Sequence, residues 1–141
     1  MDENVQYQPR TETLCDNDIL IELPQLINLS VLSEEQRSAV VIASRLVVAM
    51  REFAGLSYSY KRLLETANSD NWLRADVAVI EEQLVSTEQI VNSTKERLAI
   101  FRTNHAAIIE PLLREGYAVK VAQLREQDRI RLAEWRKNRG Q

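Results

Sequence analysis

Residues 73–112 read LRADVAVIEEQLVSTEQIVNSTKERLAIFRTNHAAIIEPL. Within them Leu73, Val77, Ile80, Leu84, Thr87, Val91, Thr94, Leu98, Phe101, His105, Ile108 and Leu112 recur at spacings that alternate four and three. A mean repeat of 3.5 residues is that of a helix face that stays against a neighbouring helix. A strand would instead alternate its faces every two residues. The pattern predicts a helix over 71–109, about 58 Å long at 1.5 Å per residue. Thr87 and Thr94 sit on the seam, where they weaken it or set its register.

The chain upstream carries a second such pattern. Ser33-Glu34-Glu35-Gln36 has the form of a capping box, with Ser33 at the N-cap and Gln36 three positions on. Glu34 and Glu35 suit the positive end of the helix dipole. From there Ala39, Ile42, Leu46, Ala49, Phe53, Leu56, Tyr60, Leu63 and Ala67 again alternate three and four, which predicts a helix over 34–67. Val40, Ala43, Val47 and Met50 widen the apolar stripe in its first half, so this half is expected to meet more than one neighbour. Gly55, with Ser57 and Ser59, marks either a bend or a close helix contact. Ala67 to Asn71 (ANSDN) reads as a turn, with Ser69 or Asp70 capping the next helix. Two long helices joined by so short a turn run antiparallel. The seam residues expected to hold them, or to face a partner, are Leu46, Phe53, Tyr60, Leu73, Ile80, Leu84, Val91, Leu98 and Phe101.

Around this hairpin the signals are weaker. Glu110-Pro111 is expected to kink or break the second helix, since proline removes a backbone donor and crowds the preceding turn. Gly116 adds looseness, and a third helix resumes over 112–138, with Leu113, Tyr117, Val121 and Leu124 on one face. Residues 18–32 are apolar but irregular. Pro24 suits the first turn of a short helix over 24–30. That helix either covers an open edge of the bundle or is a docking peptide for another protein. Residues 1–17 read as a flexible acidic tail. The expectation is therefore an all-α fold: a long antiparallel helical hairpin of coiled-coil type with a third C-terminal helix, three-helix-bundle-like, in a single domain over 18–141.

Composition agrees. Three glycines and three prolines in 141 residues cannot supply the turns of a sheet protein. Apolar residues make up 45%, enough for a core. The net charge of −3 hides a polarity. Residues 1–35 hold eight acidic residues against Arg10, whereas residues 125–141 hold six basic against three acidic. Opposite ends of this kind attract each other, a neighbouring copy, or separate partners. The start, MDENVQYQPR, lacks the basic and apolar regions of a signal peptide. No apolar stretch approaches the roughly 20 residues of a membrane span. A soluble protein inside a cell, or inside a particle assembled there, is expected. Asn28-Leu29-Ser30 and Asn92-Ser93-Thr94 then match the glycosylation pattern by chance.

No catalytic pattern emerges. A di-iron bundle needs two Glu-x-x-His motifs, and the single histidine, His105, follows Arg102 at that spacing. On the seam, His105 reads as a packed residue and not as a ligand or base. Scattered glycines make no phosphate loop. Cys15 stands alone among acidic residues, a setting that disfavours a reactive thiolate. Glu81 and Glu82 point about 100° apart and read as a solvated face. No cofactor, metal or small-molecule substrate is expected.

The basic end raises one more candidate. Arg125, Arg129 and Arg136 fall at i, i+4 and i+11 on one helix face, with Trp135 beside them. Such a face can grip phosphates. Interleaved acidic residues and a pI near 5.3 speak against nucleic acid and for a protein partner. Trp135 is either an interface anchor or packs back on the bundle. Taken together, the residues suggest a non-enzymatic structural or assembly protein of virion or scaffold type, which binds itself as a homo-oligomer or other proteins of a complex. The alternative is a small regulatory adaptor that grips a target protein through its basic C-terminal helix.

Overall fold

Among residues 13–140, which the computed structural model describes, the chain is all-α. Its helices are Asp16–Leu26 (α1), Glu34–Ser69 (α2), Arg74–Asn104 (α3) and Ala106–Arg139 (α4), with a 3-10 turn at Leu29–Val31 and no strand among these residues. The expected flexible tail lies outside the described residues up to position 12; its last two residues, Asp16 and Asn17, already belong to α1. The helices form two compact units. One joins the chain up to Val40 with Ala107 onward, and the other is Val41–Ala106.

The first unit is built on α1 and α4. α1 begins where Cys15 donates both its backbone N–H (3.0 Å) and its thiol (3.1 Å) to the Asp18 carboxylate. Asp16 and Asp18 sit in its first turn, at the positive end of the dipole. This helix lies eight residues upstream of the one expected over 24–30. Pro24 is near its end and not in its first turn, and the helix stops two residues later, with Ile27 extended. One lost donor is outweighed by the burial of Ile19, Leu20 and Leu23, all fully inaccessible and worth roughly 1.5–3 kcal/mol each. The apolar run 18–32 thus supplies core, as a covering helix would.

α4 receives α1 at Gly116. A methyl group on Gly116 would fall 2.5 Å from Leu23 Cδ1 and 2.9 Å from Ile19 Cγ2. Expected as a point of looseness, Gly116 is instead buried and is the place of closest approach. Polar contacts flank this seat. The Tyr117 hydroxyl donates to Asp16 at 2.7 Å, and Lys120 Nζ meets the two oxygens of Glu22 at 3.1 and 3.0 Å. Ile109, Leu112, Leu113 and Leu124 complete the buried face of α4.

The break expected at Pro111 occurs earlier. α3 ends at Asn104, His105 leaves helical geometry (φ −115°, ψ 25°), and α4 then runs through Pro111 without interruption. Ala107 and Pro111 are both exposed, so the carbonyl that loses its donor can turn to water.

The second unit contains most of α2 and all of α3. The capping box at the head of α2 is formed in both directions: Gln36 N–H donates to Ser33 Oγ (3.1 Å), and Ser33 N–H donates to Gln36 Oε1 (2.9 Å). α2 then continues unbroken past Gly55, where an added methyl group would meet nothing within 4 Å. It ends in a Schellman turn. Asn71 takes a left-handed conformation (φ 56°), and Trp72 N–H donates to the Ala67 carbonyl at 2.9 Å. Asparagine tolerates that geometry better than any residue but glycine. The cap of α3 is Leu73, without a side-chain bond, and neither Ser69 nor Asp70 serves as its N-cap. Ser69 is still within α2, because the left-handed residue that ends a helix comes after it. Lys61 and Glu88 bring α2 and α3 together at 3.9 Å.

Gly116→Ala is expected to cost about 1–3 kcal/mol in urea unfolding, since the seat has no room for a methyl. Gly55→Ala, with open space around it, should gain about 0.5–1 kcal/mol in the same measurement. Equal effects at the two glycines would contradict the seat.

Burial, and then the bond to Asp16, push the Tyr117 phenol up from 10.0 to about 12. A raised phenol pKa favours the folded chain while the proton stays on. That contribution is complete below pH 10 and is lost as pH rises through 12. Tyr117→Phe should lower stability by about 1–2 kcal/mol at neutral pH. It should also flatten the fall in stability between pH 10 and 12; a slope equal to wild type would remove Tyr117 as its source.

Candidate functional site

The residues with functional promise lie on helix faces, so their burial decides what each can do. On α3, Ile80, Thr87 and Leu98 are buried, and Leu84, Val91, Thr94 and Phe101 are half-buried. The two seam threonines donate their hydroxyls to carbonyls four residues back, Thr87 to Gln83 at 2.6 Å and Thr94 to Ile90 at 2.8 Å. Each polar atom is therefore satisfied within its own helix and makes no demand on a neighbour. Leu73 departs from the seam: it precedes the first turn of α3 and is 73% exposed.

On α2 the two ends of the expected seam, Ala39 and Ala67, are buried, but between them the inward row runs one residue out of step with it. In that row Val40, Ala43, Val47 and Ser57 are buried, with Met50 and Leu64 half-buried. Leu46, Phe53 and Tyr60 are only half-buried, and their seam companions Ile42, Leu56 and Leu63 are 41%, 43% and 39% exposed. The shift has a steric reason. Alanine and serine let a packed neighbour come close, so between those ends the face carrying Ala43 and Ser57 turns inward and the bulkier leucine face is left at its edge. The sequence showed both rows, but spacing alone ranks the bulkier one first.

More apolar side chains remain exposed on α3: Val79, Val85, Ile90 and Ile100. Beyond Asp128, every residue of α4 as far as Gly140 is exposed. Arg125 and Arg136 are exposed there. Arg129 is held by Glu126 through two bonds of 3.0 and 2.6 Å, which keep that carboxyl below its usual range. Trp135 is 45% exposed, and the Arg139 guanidinium stands over its ring at 4.9 Å. The four candidates for partner binding thus share one helix end, with Arg129 already engaged within it.

His105 is half-buried with its ring 4.3 Å from that of Phe101, in the place where α3 stops. Cys15 is exposed and bonded to Asp18. A cleft of about 340 Å³ at the end of α2 is lined by Ala67, Asn68, Asn71, Trp72, Arg74 and Glu81, among others. Its lining holds no histidine, cysteine or paired carboxylates. No group of histidine, cysteine and carboxylate side chains among the described residues is placed to hold a metal ion. No described helix is long and apolar enough to cross a membrane.

Ile80→Asp places a carboxylate in a buried site and is expected to cost roughly 3 kcal/mol or more. Leu73→Asp should shift the melting temperature little. A matching loss at both positions would mean that Leu73 is as important to folding as Ile80. Compared with known proteins, the chain matches no family model, no curated protein and no solved structure.

Proposed function

We propose that this chain is a non-enzymatic assembly component, a coiled-coil hairpin of α2 and α3 carried with further helices, that binds other protein chains along exposed helix faces. The observation that carries this reading is the half-open row on α2, in which Ile42, Leu56 and Leu63 stay exposed beside half-buried Leu46, Phe53 and Tyr60. Large apolar side chains grouped at heptad spacing form one stripe, and a second helix laid along it covers them together. A scaffold or particle built inside a cell, of virion type among others, is a natural setting for such a surface. Membership in a multi-chain complex would also use the acidic and basic ends as complementary contacts.

A second reading, a regulatory adaptor, is favoured by one observation. The last turns of α4 are exposed on all sides, yet they carry Trp135 and Leu132 along the line of Leu124 and Asp128. A target protein with an acidic, apolar groove would fit that face.

Light scattering on a sizing column separates the two readings. The wild-type chain should run as a discrete multimer. Leu56→Glu with Leu63→Glu should reduce it to a monomer without altering its melting temperature, whereas Trp135→Ala with Arg136→Glu should leave the mass unchanged. The reverse pattern would move the interface to the C-terminal helix. A wild-type monomer at all concentrations would overturn the assembly reading.

A further inference from the structure

The open row on α2 is bordered by charge, and that border is self-complementary. At 100° per residue, Ile42, Leu46, Ala49 and Phe53 fall within about 60° of arc. Ala43 and Val47 close one side of this arc by burial. Arg45 and Glu52, both exposed, border the other side, seven residues and about 10.5 Å apart. Neither has an ion-pair partner among the described residues.

We infer that α2 pairs antiparallel with α2 of a second copy of this chain, about a two-fold axis beside Ala49, so that Arg45 of each copy faces Glu52 of the other. This pairing rests on the reading of the chain as an assembly component and names its partner and register. A two-fold contact must use one patch twice, and Arg45 and Glu52 stand at equal distances on either side of an axis beside Ala49. In the antiparallel register Ile42 lies between Phe53 and Leu56 of the other copy and Leu46 between its Ala49 and Phe53, and the small alanine lets the two helices approach at the centre. A parallel pairing would set Arg45 level with Arg45 and leave both charges without an opposite. An unrelated acidic or basic partner would satisfy one charge and oppose the other.

The test uses the full chain with Cys15→Ser, so that any introduced cysteine is the sole thiol. Ala49→Cys should be joined to its copy by a short bismaleimide. Leu63→Cys should not be joined, because in this register the two positions lie roughly 40 Å apart. Cross-linking at both positions would indicate a parallel pair and overturn the inference while leaving the assembly reading intact. A multimer by light scattering with no cross-link at Ala49 would do the same. Absence of both the cross-link and the multimer would overturn the two together. Charge reversal gives a second readout. Arg45→Glu or Glu52→Arg alone should weaken association about tenfold, and the two combined should restore it to within about threefold of wild type. Additive weakening in the double variant would overturn the pairing.

Discussion

The contact that the first unit depends on is the approach of α1 to Gly116. Where Leu23 and Ile19 come so near a neighbouring backbone, the absence of a side chain is what lets them in. Three fully buried side chains of α1 follow from that closeness. Without the seat, α1 would be an 11-residue helix containing a proline, too short to persist alone in water. The bonds from Tyr117 to Asp16 and from Lys120 to Glu22 lie on either side of it and fix how the helix slides and turns. They add specificity to a position that shape has already chosen.

The second unit follows the same rule with less economy. Its inward row on α2 sets small residues, Ala43 and Ser57, beside Val47, and this row is buried in place of the bulkier one next to it. What differs is the remainder. α2 carries more apolar surface than one neighbour can cover, and its bulkier row is left partly in water. This stretch of α2 therefore keeps its smaller side chains inside and leaves its larger ones at the open edge.

The all-α class was legible in the 3.5-residue repeat and the scarcity of glycine and proline, and the start of α2 was legible to the residue in Ser33 and Gln36. These are local signals, and local chemistry answered them. Sequence and structure part where a residue's meaning depends on a distant partner. Pro24 suggested a helix start, but buried contacts with α4 extend that helix eight residues upstream. Gly116 suggested looseness, because nothing near it in the chain shows that Leu23 will lie against it. On α2 two rows competed, and spacing could not reveal that the smaller residues would win the inside. At the end of that helix the turn was visible in Asn and Asp, but the left-handed geometry of Asn71 moved the boundary and left Leu73 capping α3 without a bond.

Asp16 and Tyr117 are joined across 101 positions of sequence, and Glu22 and Lys120 across 98. The second unit, by contrast, closes within one continuous stretch of chain. On a ribosome, α1 emerges before α4 and must wait for it before Ile19 and Leu23 find their seat against Gly116. Until α4 emerges those side chains are open to solvent and to chaperones, while α2 and α3 are already made. The order of synthesis thus lets the second unit close before the first.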